Sequence, residues 1–372
     1  MTARPTLVSE QQQVLARACL VGGAVGDALG APLEFLSLAE IRRRHGAAGV
    51  QDFTSGDWPA GSITDDTQMT LFTAEGLIRA AAREALEGAS DRPAVVAHAY
   101  LRWLKTQGIE PACPLPGGPP GLLLGVEALH RQRGPGQTCI TALASLRRIS
   151  GKPAVNDRKG CGGIMRIAPA GILCAGGGRA DVAGAFTLGA DLAALTHGHP
   201  SGSLAAGLFA AVIAQLMCGV ALPDAVDAAA AELRGRPHHE ETLVAVEGAR
   251  YAARQVPATP ETVEALGGGW VAEEALAIAL YCALVAPSFD AGVMLAVNHG
   301  GDSDSTGALA GNLLGIVHGE QGIPARWLAR LELRELIARV AEDLWACAEQ
   351  GPAAFAPGTA RASALRRDYP GC

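Results

Sequence analysis

Apolar residues recur at three- and four-residue spacing along almost the whole chain, and Ala is prominent among them, a pattern that favours helix over strand. No convincing run of alternating positions interrupts it, so the pattern predicts an all-α protein. A first helix reads from about Glu10 to Gly30, with Val14, Ala18, Val21, Val25 and Leu29 on one stripe. Gly22, Gly23 and Gly26 sit inside it, where each costs a helix about 1 kcal/mol relative to Ala, so close approach by a neighbour or ligand is the expected compensation. Ser37 with Glu40 has capping-box spacing, and Gly46 supplies the stop of a short second helix. Thr64 caps a long helix that runs through Met69, Leu71, Phe72, Leu77 and Ile78 to about Leu86. Further helices are predicted at about 93–107, 120–131, 138–148, 180–196, 201–219, 222–234, 240–254, 273–286, 290–299, 304–318 and 324–348.

The Pro- and Gly-rich connectors at Pro111–Gly121 and Gly134–Gly136 are too short to separate domains, which predicts one all-α domain over residues 10–350. The Ala/Pro/Gly-biased stretch Pro352–Pro357 opens a tail, 351–372, that reads as loose. No 20- to 50-residue period repeats, which disfavours a solenoid. With 49% hydrophobic and 18% charged residues over 372 positions, there is ample material for a large core. The net charge of −7 argues against a nucleic-acid surface, and Arg42-Arg43-Arg44 reads as a solvated helix end. Nine Cys lie singly with no Cys-x-x-Cys pair, giving neither a disulfide framework nor a zinc ribbon and fitting a reducing cytoplasm. No signal-peptide pattern precedes the first helix, and the most apolar stretch, Leu208–Leu222, is broken by Gln215 and too short to span a membrane. These readings predict a soluble protein.

Two acidic clusters stand out against this background: Thr64-Asp65-Asp66-Thr67, and Asp302-Ser303-Asp304-Ser305-Thr306 after Asn298-His299-Gly300-Gly301. Each has an ordinary explanation, since Asp and Thr cap helices and carboxylates complement the positive end of the helix dipole. Brought together, however, four such carboxylates would raise one another's pKa, and a hard cation such as Mg²⁺ or Mn²⁺ would relieve them. An EF-hand loop starting at Asp302 places Gly307 correctly but puts Leu313 where a bidentate Glu is required. A phosphatase-type Asp-x-Asp-x-Thr would need a preceding strand, whereas Phe289–His299 is helix-periodic. His197-Gly198-His199 with His238-His239 reads as core or loop histidine more readily than as zinc ligands. Gly160-Cys161-Gly162-Gly163 before Met165-Arg166 could cradle a phosphate or simply connect two helices. No Walker motif or full dinucleotide fingerprint is present.

Taken in order, Gly23–Gly30 with Glu34, Thr64–Thr67, Gly160–Arg166, Thr196–Pro200, Leu266–Trp270 with Glu273–Leu276, and Gly300–Gly307 resemble the signature series of the ADP-ribosylglycohydrolase family, over about Leu20 to Gly319. The resemblance implies a compact orthogonal helical bundle holding two Mg²⁺ or Mn²⁺ ions in a central cleft where ADP-ribose is cleaved from a modified side chain. It implies Thr64, Asp65, Asp66, Asp302, Asp304 and Ser305 as metal ligands, with Asp304 bridging. Gly160, Cys161, Gly162, Gly163, Met165 and His197 would contact substrate, and family members commonly carry Asn where this chain has Cys161. Glu34 matches a mobile acidic residue of the family, and Glu34, Asp65 and Asp66 are the candidates for handling the proton, with no choice among them. The Asp-Ser-Asp-Ser-Thr and Thr-His-Gly-His-Pro forms resemble the arginine-specific branch, which implies ADP-ribosyl-arginine on a modified protein as substrate. The alternatives are a hydrolase of serine-linked or poly(ADP-ribose) or of ADP-ribose metabolites, and a non-catalytic ADP-ribose binder.

Overall fold

The long N-terminal helix α1 (Ser9–Gly30) lies at the centre of the molecule, and its glycines explain why. They face α14 (Ser303–His318) so closely that a Cβ on Gly22 would stand 2.5 Å from the Gly311 carbonyl oxygen and one on Gly26 1.9 Å from that of Gly307. Only hydrogen fits there, so the helix cost of each glycine is returned as backbone-to-backbone contact. A computed structural model describes residues 9–115 and 119–371. Residues 1–8, on which the signal-peptide reading partly rests, residues 116–118 of the first connector and Cys372 lie outside them.

Between and around these two run α2 (Leu38–His45), α3 (Asp65–Glu87), α4 (Arg92–Thr106), α5 (Gln137–Ser145), α6 (Ala168–Leu173), α7 (Val182–Ala194), α8 (Pro200–Met217), α9 (Leu222–Arg234) and α10 (Glu240–Gln255). Then follow α11 (Pro260–Ala265), α12 (Ala272–Val285), α13 (Phe289–Val297), and, after α14, α15 (Ala325–Leu328), α16 (Arg334–Gln350) and α17 (Ala360–Asp368). The fold is all-α: among the described residues no strand forms, and one isolated bridge joins Gly160 to Val271. One continuous apolar core spans these helices, with Trp103, Trp327, Trp345, Tyr100 and Phe209 among its fully buried side chains. α8 is long and apolar enough to cross a membrane, with mean hydropathy 1.5, but 89% of it is buried inside this core.

The capping signals read from sequence operate as expected. Ser37 Oγ accepts from Glu40 N (3.2 Å), and Gly46 ends α2 at φ 85°. The arginine run closes α2 on the surface, where Arg43 donates to Glu40 (2.9 Å).

Two predicted helices differ. Residues 120–131 form two 3₁₀ turns, Leu123–Gly125 and Glu127–Leu129, separated by extended Val126. Residues 324–348 split into α15 and α16 because tertiary bonds hold the segment between them: Glu332 N donates to Gly61 O (2.9 Å), its carboxylate accepts from Ile63 N (3.0 Å), and Leu333 turns to φ 56°. The short helices α6 and α11 carry too few turns for periodicity to reveal them, and α17 lies in the stretch read as a loose tail. Beyond residue 350 the chain makes a 3₁₀ turn, Gly351–Phe355, and α17, and Phe355, Leu365 and Tyr369 enter the core.

Candidate active site

The two acidic clusters open two helices whose N-termini converge beside the C-terminal end of α1. At α3, the Thr64 side chain caps by accepting from Asp66 N (3.2 Å). The remaining N–H groups of that first turn find partners elsewhere in the chain: Asp65 N donates to Arg133 O (2.9 Å), and Thr64 N and Thr67 N donate to the Asp27 carboxylate (3.0 and 3.2 Å). Thr67 Oγ1 donates to the same carboxylate. Asp27, on the last turns of α1, therefore anchors α3 in register with α1. At α14, Asp302 is the cap and its Oδ1 accepts from Ser305 N (3.3 Å), as does Asp304 Oδ1 (3.0 Å). Both helix dipoles present their positive ends to the same pocket, which favours carboxylates there.

Glu34 joins them from the turn after α1. One carboxylate oxygen from each of Glu34, Asp302 and Asp304 lies within 4.8 Å of the others, the one such group of three or more potential ligands among the described residues. The histidines make no comparable group: His199 caps α8, and His239 Nδ1 pairs with the Arg236 carbonyl (2.8 Å). Burial, reinforced by neighbouring carboxylates, pushes Asp65, Asp66 and Asp304 well above the usual carboxylate range. Burial, then the charges of Asp304 and Asp27, raise Glu34 to about 8. Burial raises Asp302 to about 6 against hydrogen bonds that favour its charged form.

A further observation tests whether a cation suits this pocket. Asp66 Oδ1 is buried with no hydrogen-bond partner. A buried acceptor facing several crowded carboxylates, with Thr64 and Ser305 hydroxyls close by, is a hard-oxygen donor set matching a divalent ion of the Mg²⁺ or Mn²⁺ type.

The glycine turn forms the adjoining wall. Cys161–Gly163 is a single 3₁₀ turn, pinned where Cys161 N donates to Trp270 O (3.1 Å). The Cys161 N–H is thereby occupied and the turn's remaining donors begin at Gly162. The Cys161 thiol donates to Asp302 Oδ2 (2.6 Å), a contact that leaves no local pattern in the sequence. Met165 reaches the acidic pocket too, its Sδ lying 3.9 Å from Ser305 Oγ. His197 lies beneath the turn: a Cβ at Gly163 would stand 3.2 Å from its Nδ1. Burial and the Arg166 charge lower the His197 pKa to about 3, so the ring is neutral. Thr196 Oγ1 lies 2.8 Å from Nδ1 and accepts from the buried Arg166 (2.6 Å).

Sequence reasoning gave no role to Asp27, Arg133, Gly136 or Phe35. Asp27 stood beside the glycines of α1 as one charge in an apolar stripe, which is a readable signal; the Gly136 N–H on Asp65 Oδ2 (3.2 Å) leaves no local trace. A cleft of about 990 Å³ lies elsewhere, at the far end of α3, about 30 Å from Asp65 by helix rise, and is lined by Leu86, Phe355 and Tyr369.

Known proteins are similar to this chain over most of its length. The family model described as ADP-ribosylglycohydrolase matches residues 9–353. An uncharacterised protein of Archaeoglobus fulgidus is 30% identical over 88% of this chain and 95% of its own length. The ADP-ribosyl-[dinitrogen reductase] glycohydrolase of Rhodospirillum rubrum is 28% identical over 84% of this chain and 89% of its own. The ADP-ribosylarginine hydrolase Tri1 of Pseudomonas putida is 26% identical over 93% and 81%. A solved structure described as an ADP-ribosylglycohydrolase-related protein complex superposes with a TM-score of 0.65 at 26% identity, covering 91% of this chain and 99% of that one.

Proposed function

The chain belongs to the ADP-ribosylglycohydrolase family, hydrolases acting on ADP-ribosylated substrates, and from that premise we propose that it removes ADP-ribose from modified arginine with the help of two Mg²⁺ or Mn²⁺ ions. The observation that carries the reading is the meeting of Glu34, Asp302 and Asp304, drawn from opposite ends of the sequence, within 4.8 Å beside the orphaned Asp66 oxygen. The ligands would be Thr64, Asp65, Asp66, Asp302, Asp304 and Ser305; bound there, the ions would neutralise the carboxylates, orient the ribose hydroxyls and make a water more acidic. The arginine linkage is supported by relatives named for ADP-ribosylarginine and dinitrogen reductase.

Cleavage at the anomeric carbon passes through an oxocarbenium-like state and needs a carboxylate to manage the proton. Among the three candidates, Asp65 is held by Gly136 N and Asp66 by the cap of its own helix. Glu34 is only partly buried, and among the described residues its carboxylate has no hydrogen-bond partner, which leaves it free to reach the reacting ribose. We therefore assign it the proton. Gly162 and Gly163 would approach the diphosphate, with Gly160, Cys161, Met165 and the neutral His197 shaping that wall. We take residues 10–350 as the catalytic domain and place the protein in the cytoplasm, in keeping with eight free cysteines among the described residues.

The test is release of ADP-ribose from arginine-linked and serine-linked substrates, each with and without EDTA. EDTA-sensitive release from arginine is expected. Turnover of the serine linkage alone would reject the arginine reading, and binding without release from either would make the chain an ADP-ribose binder.

A further inference from the structure

Phe35 and Trp270 are large rings left 75% and 41% exposed in a protein that buries most of its aromatic side chains. They stack on each other with centroids 5.1 Å apart and planes 21° apart. Their position gives the pair its meaning. Phe35 directly follows Glu34, while the Trp270 carbonyl holds the glycine turn through Cys161 N. A Cβ on Gly269, one residue before Trp270, would stand 3.4 Å from Asp302 Cβ. The stack thus borders the acidic pocket, one ring carried on the turn after α1 and the other on the loop before α12.

Two further features point to a ligand. Phe35 is held at φ 68°, a left-handed conformation that bulky residues rarely adopt and that concentrates at ligand clamps and active sites. The rim is also acidic: beside Glu34 stand Glu264, which accepts from Gly300 N (3.0 Å), and Glu274, which accepts from Gly268 N (3.0 Å). The cations of this rim are already paired, Arg42 with Glu261 and Lys159 with Glu241 and Glu273. Two aromatic faces in an acidic surround recognise a planar cation, and a guanidinium is both planar and cationic.

We propose that Phe35 and Trp270 are the leaving-group subsite, taking the arginine guanidinium against their faces in place of their contact with each other. The assignment rests on the arginine reading of the site. It makes the pair specificity-determining, separate from the residues that bind the ADP-ribose portion.

The experiment measures steady-state kinetics on an ADP-ribosyl-arginine peptide and inhibition by free ADP-ribose for wild type, Phe35→Ala, Trp270→Leu and Trp270→Phe, each first checked for an unaltered melting transition. Phe35→Ala and Trp270→Leu are expected to raise KM about tenfold, the scale of a partly desolvated cation–π contact, with little change in kcat. Trp270→Phe, which keeps a ring, should restore most of the affinity. Inhibition by ADP-ribose should be unchanged in all three. An unaltered KM in Phe35→Ala and Trp270→Leu would overturn the subsite while leaving the arginine reading intact. Weaker inhibition by ADP-ribose would assign the rings to the nucleotide and also overturn it. A wild-type enzyme that cleaves only the serine linkage would reject the underlying arginine reading, and the subsite with it, before any variant is compared.

Discussion

Asp27 shows how much can rest on one carboxylate that touches no substrate. It is fully buried and accepts from Thr64 N, Thr67 N and Thr67 Oγ1, and burial raises its pKa to about 6 in spite of those bonds. Asp27→Ala leaves three donors unsatisfied and is expected to cost about 3 kcal/mol in urea unfolding, with turnover lost as the start of α3 shifts. Asp302→Ala and Asp304→Ala should behave differently: metal binding measured by calorimetry and turnover should disappear together while the fold persists, because removing one crowded carboxylate relieves repulsion. Normal activity in either variant would refute the ligand assignment. Glu75 is a third case, buried between Arg79 (3.0 Å) and Arg102 (3.1 Å); Glu75→Ala removes the carboxylate that neutralises two buried guanidinium groups and should destabilise by about 3–5 kcal/mol without touching the site directly. At this scale the sequence was most informative where residue types cluster locally. Cys161 against Asp302, and Gly136 against Asp65, join distant positions and leave no local pattern.

At the scale of elements, the site depends on how closely α1 and α14 approach. The contact is made through Gly22, Gly26 and Gly30 on one helix and Gly307, Gly311 and Gly315 on the other, and it sets Asp27 and Glu34 beside Asp302 and Asp304. Gly26→Ala would place a methyl 1.9 Å from the Gly307 carbonyl oxygen, so the helices must part. A loss of about 1–3 kcal/mol is expected, with metal affinity falling more steeply than stability because the ligands are carried apart. Thermal melting and calorimetry on the same sample would check it, and unchanged metal affinity would show that the centre does not depend on this spacing. Most long helices were legible because their apolar faces repeat over several turns and their caps are local. The split between α15 and α16 was not, since the bonds from Glu332 to Gly61 and Ile63 that impose it come from elsewhere in the chain.

For the whole molecule, the buried titratable groups predict how stability depends on pH in the metal-free state. Glu34 at about 8, with Asp65, Asp66 and Asp304 also raised, holds protons that the unfolded chain has already released; the folded state binds more protons, so stability falls as pH rises toward 8. His98, His197 and His299, lowered to about 4, 3 and 4, do the reverse: below about 6.5 these rings bind protons in the unfolded chain only, and their contribution to stability is lost as pH falls. In EDTA the melting temperature should therefore decline as pH rises from about 5 to 8, the three histidines only blunting the slope below about 6.5, because the raised carboxylates outnumber them. Mg²⁺ or Mn²⁺ should raise the alkaline limb most, because cations then compete with fewer protons. A melting temperature in EDTA that does not decline between about pH 6.5 and 8 would contradict this account. The segment after residue 350 belongs to the same accounting. Arg79 donates to Pro370 O (3.0 Å) and Tyr369 is fully buried, so truncation after Gln350 should lower the melting temperature by several degrees.

By itself the sequence determined the all-α class, the caps of α2 and α3, and the two acidic clusters, because helix periodicity, capping and local charge density are properties of a few consecutive residues. Only the tertiary structure decided that the clusters meet. It brought Glu34 to within 4.8 Å of Asp302 and Asp304, left Asp66 Oδ1 without a partner, and stacked Phe35 on Trp270. Those are contacts between segments more than two hundred residues apart, fixed by the volume that glycine frees between α1 and α14, and no local pattern encodes a distance of that kind.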